Sequence, residues 1–119
     1  MCEPMSYGRL YLLGDAAHVV PPTGGKGMNL AVHDAEVVTR GVRDYVQHGD
    51  DAGLRSYSDV CLRRAWTYQE YARWLTELVH DLADEDRRFA AQLAAARPSQ
   101  VVNSEAATRD LAELMPGLA

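Results

Sequence analysis

The first apolar run of the chain is short and uninterrupted. Residues Leu10 to Leu13 are all apolar, with Gly8 before the run and Gly14 directly after it. A run of this length bounded by turn residues predicts a buried strand of the kind found in parallel sheets. It is the only convincing strand pattern, and a lone buried strand leaves its backbone donors and acceptors unpaired. We therefore expect its neighbours to come from a second copy of the chain or from a preceding part of a longer protein.

Two amphipathic helices are predicted beyond a Gly/Pro-rich stretch at residues 14–27. In each of them, apolar residues recur three and four positions apart. The first stripe comprises Met28, Ala31, Ala35, Val38, Val42 and Tyr45. The second stripe comprises Leu54, Tyr57, Cys61, Tyr68, Ala72, Leu75 and Val79. The segment from His48 to Asp51 separates them, and an Asp in it can cap the second helix.

Two shorter helices are predicted towards the end of the sequence. One extends from about Asp84 to Ala96, where an acidic start suits the helix dipole and Pro98 ends the helix. The other extends from Ser104 to Met115, before Pro116. The pattern therefore predicts a mainly α chain, with a strand and loop over residues 1–29 and a helical region over residues 30–119.

Length, composition and charge indicate one soluble domain or a part of one. The 119 residues are 47% hydrophobic and 24% charged, as in soluble globular proteins. A net charge of −5 argues against a nucleic-acid partner, which would favour a basic surface. No apolar run approaches the roughly 20 residues of a membrane helix, and no secretory pattern precedes the two cysteines, Cys2 and Cys61. We expect a cytoplasmic protein with reduced thiols and no membrane partner.

Candidate chemistry is concentrated in one loop, residues 14–29, which has the sequence GDAAHVVPPTGGKGMN. Asp15, at the end of the predicted strand, can accept hydrogen bonds from sugar-like hydroxyls. The glycines allow the backbone to approach a flat or phosphorylated ligand closely. The loop leads into the first helix, whose initial N–H groups lack intrahelical acceptors and favour negative charge, as does Lys26.

Two other phosphate-binding patterns do not fit this loop. A P-loop needs Ser or Thr after Gly-Lys, whereas Gly27 follows Lys26 here. The segment also lacks a G-x-G-x-x-G fingerprint directly after its strand. On physical grounds alone, a strand-to-helix turn that binds no ligand stays open as an alternative.

The loop sequence resembles the second flavin-contacting motif of the group A flavoprotein aromatic monooxygenases, and among them the 4-hydroxybenzoate 3-monooxygenase type. Further matching segments are EPM at residues 3–5, GRL at 8–10, RSYS at 55–58 and CLRRAW at 61–66. The resemblance covers residues 3 to 80 well and the remainder weakly. It implies part of an FAD-binding α/β fold and a hydroxylase of aromatic catabolism that depends on FAD, NADPH and O2.

The resemblance also assigns roles to individual loop residues. Asp15 would bind the ribityl chain of FAD, and the backbone amides of Met28 and Asn29 would meet the pyrimidine oxygen of its ring system. The remaining cofactor-binding positions are Gly14, Lys26 and Gly27. The carbonyl of Pro22 would orient a phenolic substrate, with Thr23 beside it. A helix N-terminus agrees with these roles, because reduced flavin carries negative charge near its pyrimidine oxygen.

Several parts of the family pattern have no counterpart in this sequence. They are the N-terminal dinucleotide-binding part, most of the substrate pocket and the NADPH contacts. Members of this type end in YVGLP, whose tyrosine belongs to a proton relay, and the matching stretch places Met115 at that tyrosine. We expect no complete catalytic set and no activity without the missing upstream part. The alternative is a non-enzymatic helical dimerisation or interaction module derived from such an enzyme.

Other chemically suggestive residues have structural interpretations. The four histidines are His18, His33, His48 and His80. Their spacing forms no compact ligand pattern, so we expect no metal site. We expect His18 to hydrogen-bond within the loop, Arg63 and Arg64 to lie on a solvated or salt-bridged face, and Cys61 to be buried. The helical aromatics are expected to pack or to form a homodimer interface; they are Tyr57, Trp66, Tyr68, Tyr71 and Trp74.

Overall fold

The computed structural model describes residues 1–79, 92, 96, 98–99 and 102–114, and the statements below concern these residues. Two long helices dominate this part of the chain: α1, Gly27–His48, and α2, Ala52–Val79, which pack against each other. They follow a small hairpin of β1, Ser6–Tyr7, and β2, Leu10–Tyr11. A 3-10 turn at Gly14–Ala16 joins the hairpin to the loop, and α3 covers Glu105–Leu114. The predicted mainly helical character is thus confirmed.

The prediction of a lone, buried, parallel-type strand is wrong. The segment forms an antiparallel hairpin in which Ser6 lies opposite Tyr11 and Tyr7 opposite Leu10. Gly8 supplies the turn at φ 59°, a left-handed conformation that glycine adopts without a Cβ penalty. Leu10 is 61% exposed, so the apolar run is not buried throughout. The strand has a local partner, β1, along one of its edges.

Helix α1 begins and ends near its predicted bounds, but it buries a different face from the predicted stripe. Its buried residues are Leu30, Asp34 and Gly41, whereas Met28 is 74% exposed. The buried face lies roughly a quarter turn from the predicted stripe at 3.6 residues per turn. Close packing and hydrogen bonding determine this face: a Cβ on Gly41 would lie 2.9 Å from Leu54 Cδ2, so only glycine fits the approach of α2.

The rotation of α1 leaves an apolar surface on its outer side, which we call the α1 apolar face. It consists of Met28, Val32, Ala35, Val42 and Val46. Val32 is 62% exposed and Val46 is 75% exposed. These positions are spaced by four, three, seven and four residues, so they share one side of the helix opposite the buried face.

Helix α2 buries the middle of the stripe that the sequence predicts, and Leu54 and Leu75 of that stripe are half-buried. Tyr57, Cys61, Tyr68 and Ala72 are all buried, and Tyr57 and Cys61 form a core with Met5 and Ala17. The predicted cap is also confirmed, because Asp50 Oδ1 accepts a hydrogen bond of 2.9 Å from the Ala52 N–H. The core therefore lies between α2, the hairpin and the turn that opens the loop.

Helix α3 confirms most of the last predicted helix. The Ser104 hydroxyl accepts a 3.3 Å hydrogen bond from the Ala107 N–H, which caps its first turn. Met115 lies outside the described residues, and so does most of the predicted helix at residues 84–96. Within the described residues, no helix combines the length and hydropathy that crossing a membrane requires.

Candidate cofactor site

The candidate loop opens with a tight turn that the structure ties to helix α1. Gly14 is buried at φ 58°, and its carbonyl accepts hydrogen bonds from the N–H groups of Ala17 and His18, at 2.9 and 2.8 Å. A Cβ on Gly14 would lie 3.0 Å from the Ala31 Cβ, so the turn lies directly against α1. Asp15, between these anchored residues, is exposed. The turn thus presents one carboxylate to solvent from a fixed backbone.

The middle of the loop lies on helix α2. The Gly25 N–H donates a 2.9 Å hydrogen bond to the Pro22 carbonyl, which closes a turn. A Cβ on Gly24 would lie 3.0 Å from Tyr71 Cε1, so glycine permits this contact. The hydroxyl groups of Thr23 and Thr76 form a 2.9 Å hydrogen bond. The two predicted substrate residues, Pro22 and Thr23, are therefore both held in place by hydrogen bonds within the protein.

The loop ends at the N-terminus of α1. Lys26 is the N-cap and makes no side-chain capping hydrogen bond. The first intrahelical bond is donated by the Leu30 N–H to the Lys26 carbonyl, at 3.0 Å. The N–H groups of residues 27–29 precede this bond and have no intrahelical acceptor. Met28 and Asn29 are exposed, so these donors and the positive end of the helix dipole meet solvent at the predicted position.

A buried polar cluster that the sequence analysis missed lies behind the loop. Asp34 of α1 is 1% exposed and its Oδ2 accepts hydrogen bonds from the Gly14 N–H, at 2.9 Å, and from His18 Nε2, at 2.7 Å. The His18 backbone N–H bonds within the loop as expected, to the Gly14 carbonyl, whereas the partner of its side chain belongs to α1. His18 Nδ1 is buried without a hydrogen-bond partner among the described residues. The only sequence signal for this cluster is that Asp34 lies four residues after Leu30 and three before Val37, on the same side of the helix as these apolar residues.

Two further groups extend this cluster into α2. The Cys61 thiol is buried within electrostatic reach of Asp34, and Tyr57 donates a 2.6 Å hydrogen bond to the Leu12 carbonyl. Burial, followed by the negative charge of Asp34, raises the pKa of Cys61 to about 12. The same two causes raise the pKa of Tyr57. Both groups therefore stay protonated at neutral pH.

The remaining residues that the sequence analysis considered fall mostly on or near α2. Cys61 is buried as expected, and Trp66 Nε1 donates a 2.6 Å hydrogen bond to the exposed Glu3 carboxylate. Arg63 is exposed, and Arg64 lies over the Tyr68 ring at 5.7 Å. In the described part of the chain, no group of three His, Cys, Asp or Glu residues is arranged to hold a metal ion.

Two surface cavities lie away from the loop. A groove of about 440 Å³ follows α1 and α2 and includes His33, Glu36, Arg40 and Arg64. Desolvation, followed by the charge of Arg64, lowers the pKa of His33 there. A second cavity of about 410 Å³ lies between the hairpin turn and the start of α2. Neither of these two cavities is lined by residues 14–29.

The loop fits a flavin cofactor on two observations. The α1 N-terminus offers donors without intrahelical acceptors, which suit the electron-rich pyrimidine edge of a flavin. A Cβ on Gly25, at φ 62°, would meet no atom within 4 Å, so the loop backbone is open to the close approach of a planar group.

Comparison with known proteins gives a consistent set of matches. Residues 1–72 match the family model described as FAD binding domain. The chain is 39% identical over 116 residues to a p-hydroxybenzoate hydroxylase of Acinetobacter baylyi, covering 98% of this chain and 28% of that protein. It is 32% identical over 87 residues to a kynurenine 3-monooxygenase of Caenorhabditis elegans, covering 71% of this chain and 18% of the relative. A rifampicin monooxygenase of Streptomyces venezuelae is 63% identical over 27 residues, which are 23% of this chain and 6% of that protein.

Proposed function

Because this chain belongs to the family of FAD binding domains, we propose that it is the FAD-contacting part of a flavin-dependent aromatic hydroxylase. The observation that carries the proposal is the α1 N-terminus, whose free N–H donors follow directly on a Gly/Pro loop. The relatives compared above are a hydroxylase and two monooxygenases. The chain matches the hydroxylase over 98% of its own length but spans only 28% of that protein.

The proposed cofactor contacts follow the observed geometry of the loop. Asp15 is exposed on its anchored turn and would accept hydrogen bonds from the ribityl hydroxyls. The N–H groups of Met28 and Asn29 would donate to the pyrimidine oxygen, with the helix dipole and Lys26 favouring negative charge there. Gly14 and Gly27 would keep the backbone close to the cofactor. When bound, FAD would supply the transfer of electrons from NADPH and the reaction with O2.

The proposed substrate is a phenolic aromatic such as 4-hydroxybenzoate. A hydroxylase named for that substrate is 39% identical to this chain along almost its whole length. The second lone pair of the Pro22 carbonyl stays available beside its bond to Gly25, and could accept a hydrogen bond from a phenol. Thr23 is held by Thr76, so this segment would present the acceptor from a fixed position.

The proposed partner is the polypeptide that forms the rest of the FAD-binding domain. The supporting observation is the α1 apolar face, which begins at Met28 beside the proposed flavin contacts. An exposed apolar surface of this kind marks an interaction site in a soluble protein. A polypeptide that covers this face would also arrive next to the flavin ring and could close the site.

Reconstitution tests these assignments. The chain would be mixed with the complementary part of the Acinetobacter baylyi hydroxylase, refolded with FAD, and assayed for flavin absorbance and for 4-hydroxybenzoate-dependent NADPH oxidation. We expect a yellow complex, and we expect Asp15→Ala to lose FAD while Asp59→Ala, at an exposed position of α2, retains it. A stable complex that excludes FAD, or equal FAD retention by the two variants, would refute the proposed cofactor contacts.

A second candidate function is a non-enzymatic helical dimerisation module, favoured by the same α1 apolar face. Two copies could bury this face by pairing their α1 helices. Light scattering after size exclusion distinguishes the candidates. A dimer that dissociates on Val32→Lys substitution and does not assemble with the complementary polypeptide would favour this second function.

A further inference from the structure

One buried carboxylate holds both ends of the turn that presents Asp15. Asp34 Oδ2 accepts the Gly14 N–H at 2.9 Å and His18 Nε2 at 2.7 Å, so its two partners flank Asp15 on either side. Asp34 and His18 are 1% and 2% exposed. The partners are 20 and 16 residues away in sequence, so these bonds fix tertiary rather than local geometry.

Burial of a charged group is a costly way to gain stability alone. Removing a carboxylate from water carries a penalty of several kcal/mol, and well-packed apolar residues often stabilise as well or better. Asp34 is compensated by the Gly14 N–H and the His18 imidazole, each of which donates a hydrogen bond to it. An apolar residue at this position could fill the space but could not define the position of the turn.

The same carboxylate links the turn to the other half of the site. Asp34 lies on α1, less than two turns from the N-terminus that presents Met28 and Asn29. The Gly14 backbone also lies against Ala31 of α1. Asp34 therefore connects the turn that carries Asp15 to the helix end that carries the free N–H donors.

We propose that Asp34, with His18, is the positioning residue of the FAD site, which sets the place of Asp15 relative to the N-terminus of α1. This inference rests on the proposed function for its ligand. Its geometric content does not: without the Asp34 carboxylate, the 14–18 turn loses its fixed position while the two long helices stay folded.

Backbone relaxation measured by NMR on the full 119-residue chain tests the inference without any cofactor. In the unmodified protein we expect backbone order parameters of about 0.85 for residues 14–18, which is typical of a rigid backbone. In the Asp34→Asn and Asp34→Ala variants we expect these order parameters to fall towards about 0.6. Order parameters of α2 residues should not change. The control is Glu36→Gln, which removes an exposed ion pair with Arg40 from the same helix and should leave the turn rigid.

Two results would overturn the inference. One is a rigid 14–18 turn in a folded Asp34→Ala protein, which would show that other contacts position it. The other is unfolding of both Asp34 variants, which would make the residue a determinant of global stability instead. Asp34→Asn keeps the side-chain volume and one acceptor oxygen, so it separates the loss of the clamp from the loss of packing.

A second readout follows FAD in the reconstituted complex. We expect Asp34→Asn to weaken FAD binding about tenfold relative to Glu36→Gln, a difference that corresponds to about 1.4 kcal/mol. Equal affinities in the two variants despite a loosened turn would also contradict the inference. If the unmodified complex binds no FAD, the proposed function fails, and the relaxation data still decide whether Asp34 positions the turn.

Discussion

At the scale of one residue, the protonation of the Cys61 thiol links the buried cluster to the stability of the folded chain. The thiol lies in the core, where burial and then the negative charge of Asp34 raise its pKa to about 12 from an ordinary value of 9.0. Deprotonation would place a thiolate beside a buried carboxylate, so the folded state holds this proton where the unfolded chain releases it.

The free energy of unfolding should therefore depend on pH in the alkaline range. Below pH 9 the stabilisation by the protonated thiol is fully present, and it is lost as the pH rises from 9.0 to about 12. One such group lowers stability by at most about 1.4 kcal/mol per pH unit, and Tyr57, with its raised pKa, acts in the same direction. Urea titrations at about pH 8 and about pH 10 measure the decline. Cys61→Ala should show a shallower decline, and an identical decline in the two proteins would contradict the assignment.

Gly14 offers a second test at a single position. An added Cβ would meet Ala31 Cβ at 3.0 Å, and the residue also has a φ of 58°. Gly8 has nearly the same φ, 59°, but a Cβ there would meet nothing within 4 Å. We expect Gly14→Ala to be less stable than Gly8→Ala by about 1–3 kcal/mol, which is the range for overpacking. Urea unfolding of both variants measures the difference, and equal stabilities would mean that the turn does not press against α1.

At the scale of secondary-structure elements, helix positions and caps could be predicted from sequence, whereas burial could not always be. The stripe of α2 and the Asp50 cap depend on local spacing and local hydrogen bonds, and both were correctly predicted. The prediction of which face α1 buries was wrong, because a hydrophobic stripe in the sequence does not distinguish a core from an interface. Its buried face is determined by Gly41 and Asp34, whose partners come from α2 and the loop.

The contact between α1 and α2 at Gly41 is open to direct measurement. A Cβ there would lie 2.9 Å from Leu54 Cδ2 and 3.1 Å from the Leu54 backbone nitrogen, which cannot move aside without shifting α2. Gly→Ala in an exposed helix interior stabilises by about 1 kcal/mol, but here we expect a loss of about 1–3 kcal/mol from overpacking. The exposed Thr39→Ala on the same helix should change stability by less than about 0.5 kcal/mol. Thermal or urea unfolding that shows Gly41→Ala to be stabilising would refute the close helix contact.

At the scale of the whole molecule, the sequence indicated the candidate loop but not the tertiary contacts that hold it in place. The Gly/Pro pattern and the helix start predicted the free donors at residues 27–29. Asp34 was missed because one of its partners is a backbone N–H, which leaves no trace in the sequence. The predicted buried strand was wrong because Gly8 folds the segment back on itself. The α1 apolar face becomes visible only when the true core is known.

The α1 apolar face yields a prediction about assembly. Val32→Lys and Val46→Lys replace residues that are 62% and 75% exposed, so each should change the stability of the chain by less than about 0.5 kcal/mol. Both should nevertheless abolish binding to the complementary part of the domain, because a charge would then be buried in an apolar contact. Val102→Lys, at an 80% exposed valine outside α1, is the matched control. Pull-down of the complementary polypeptide by the three variants measures the effect, and retention by all three would exclude this face as the contact.

Fluorescence titration of FAD with and without the complementary polypeptide tests the central claim most directly. The claim is that residues 14–29 bind the flavin when the rest of the domain covers the α1 apolar face. We expect no saturable quenching by the chain alone and saturable quenching with a shifted flavin absorbance band by the complex. Complex formation without any change in flavin fluorescence would contradict the account.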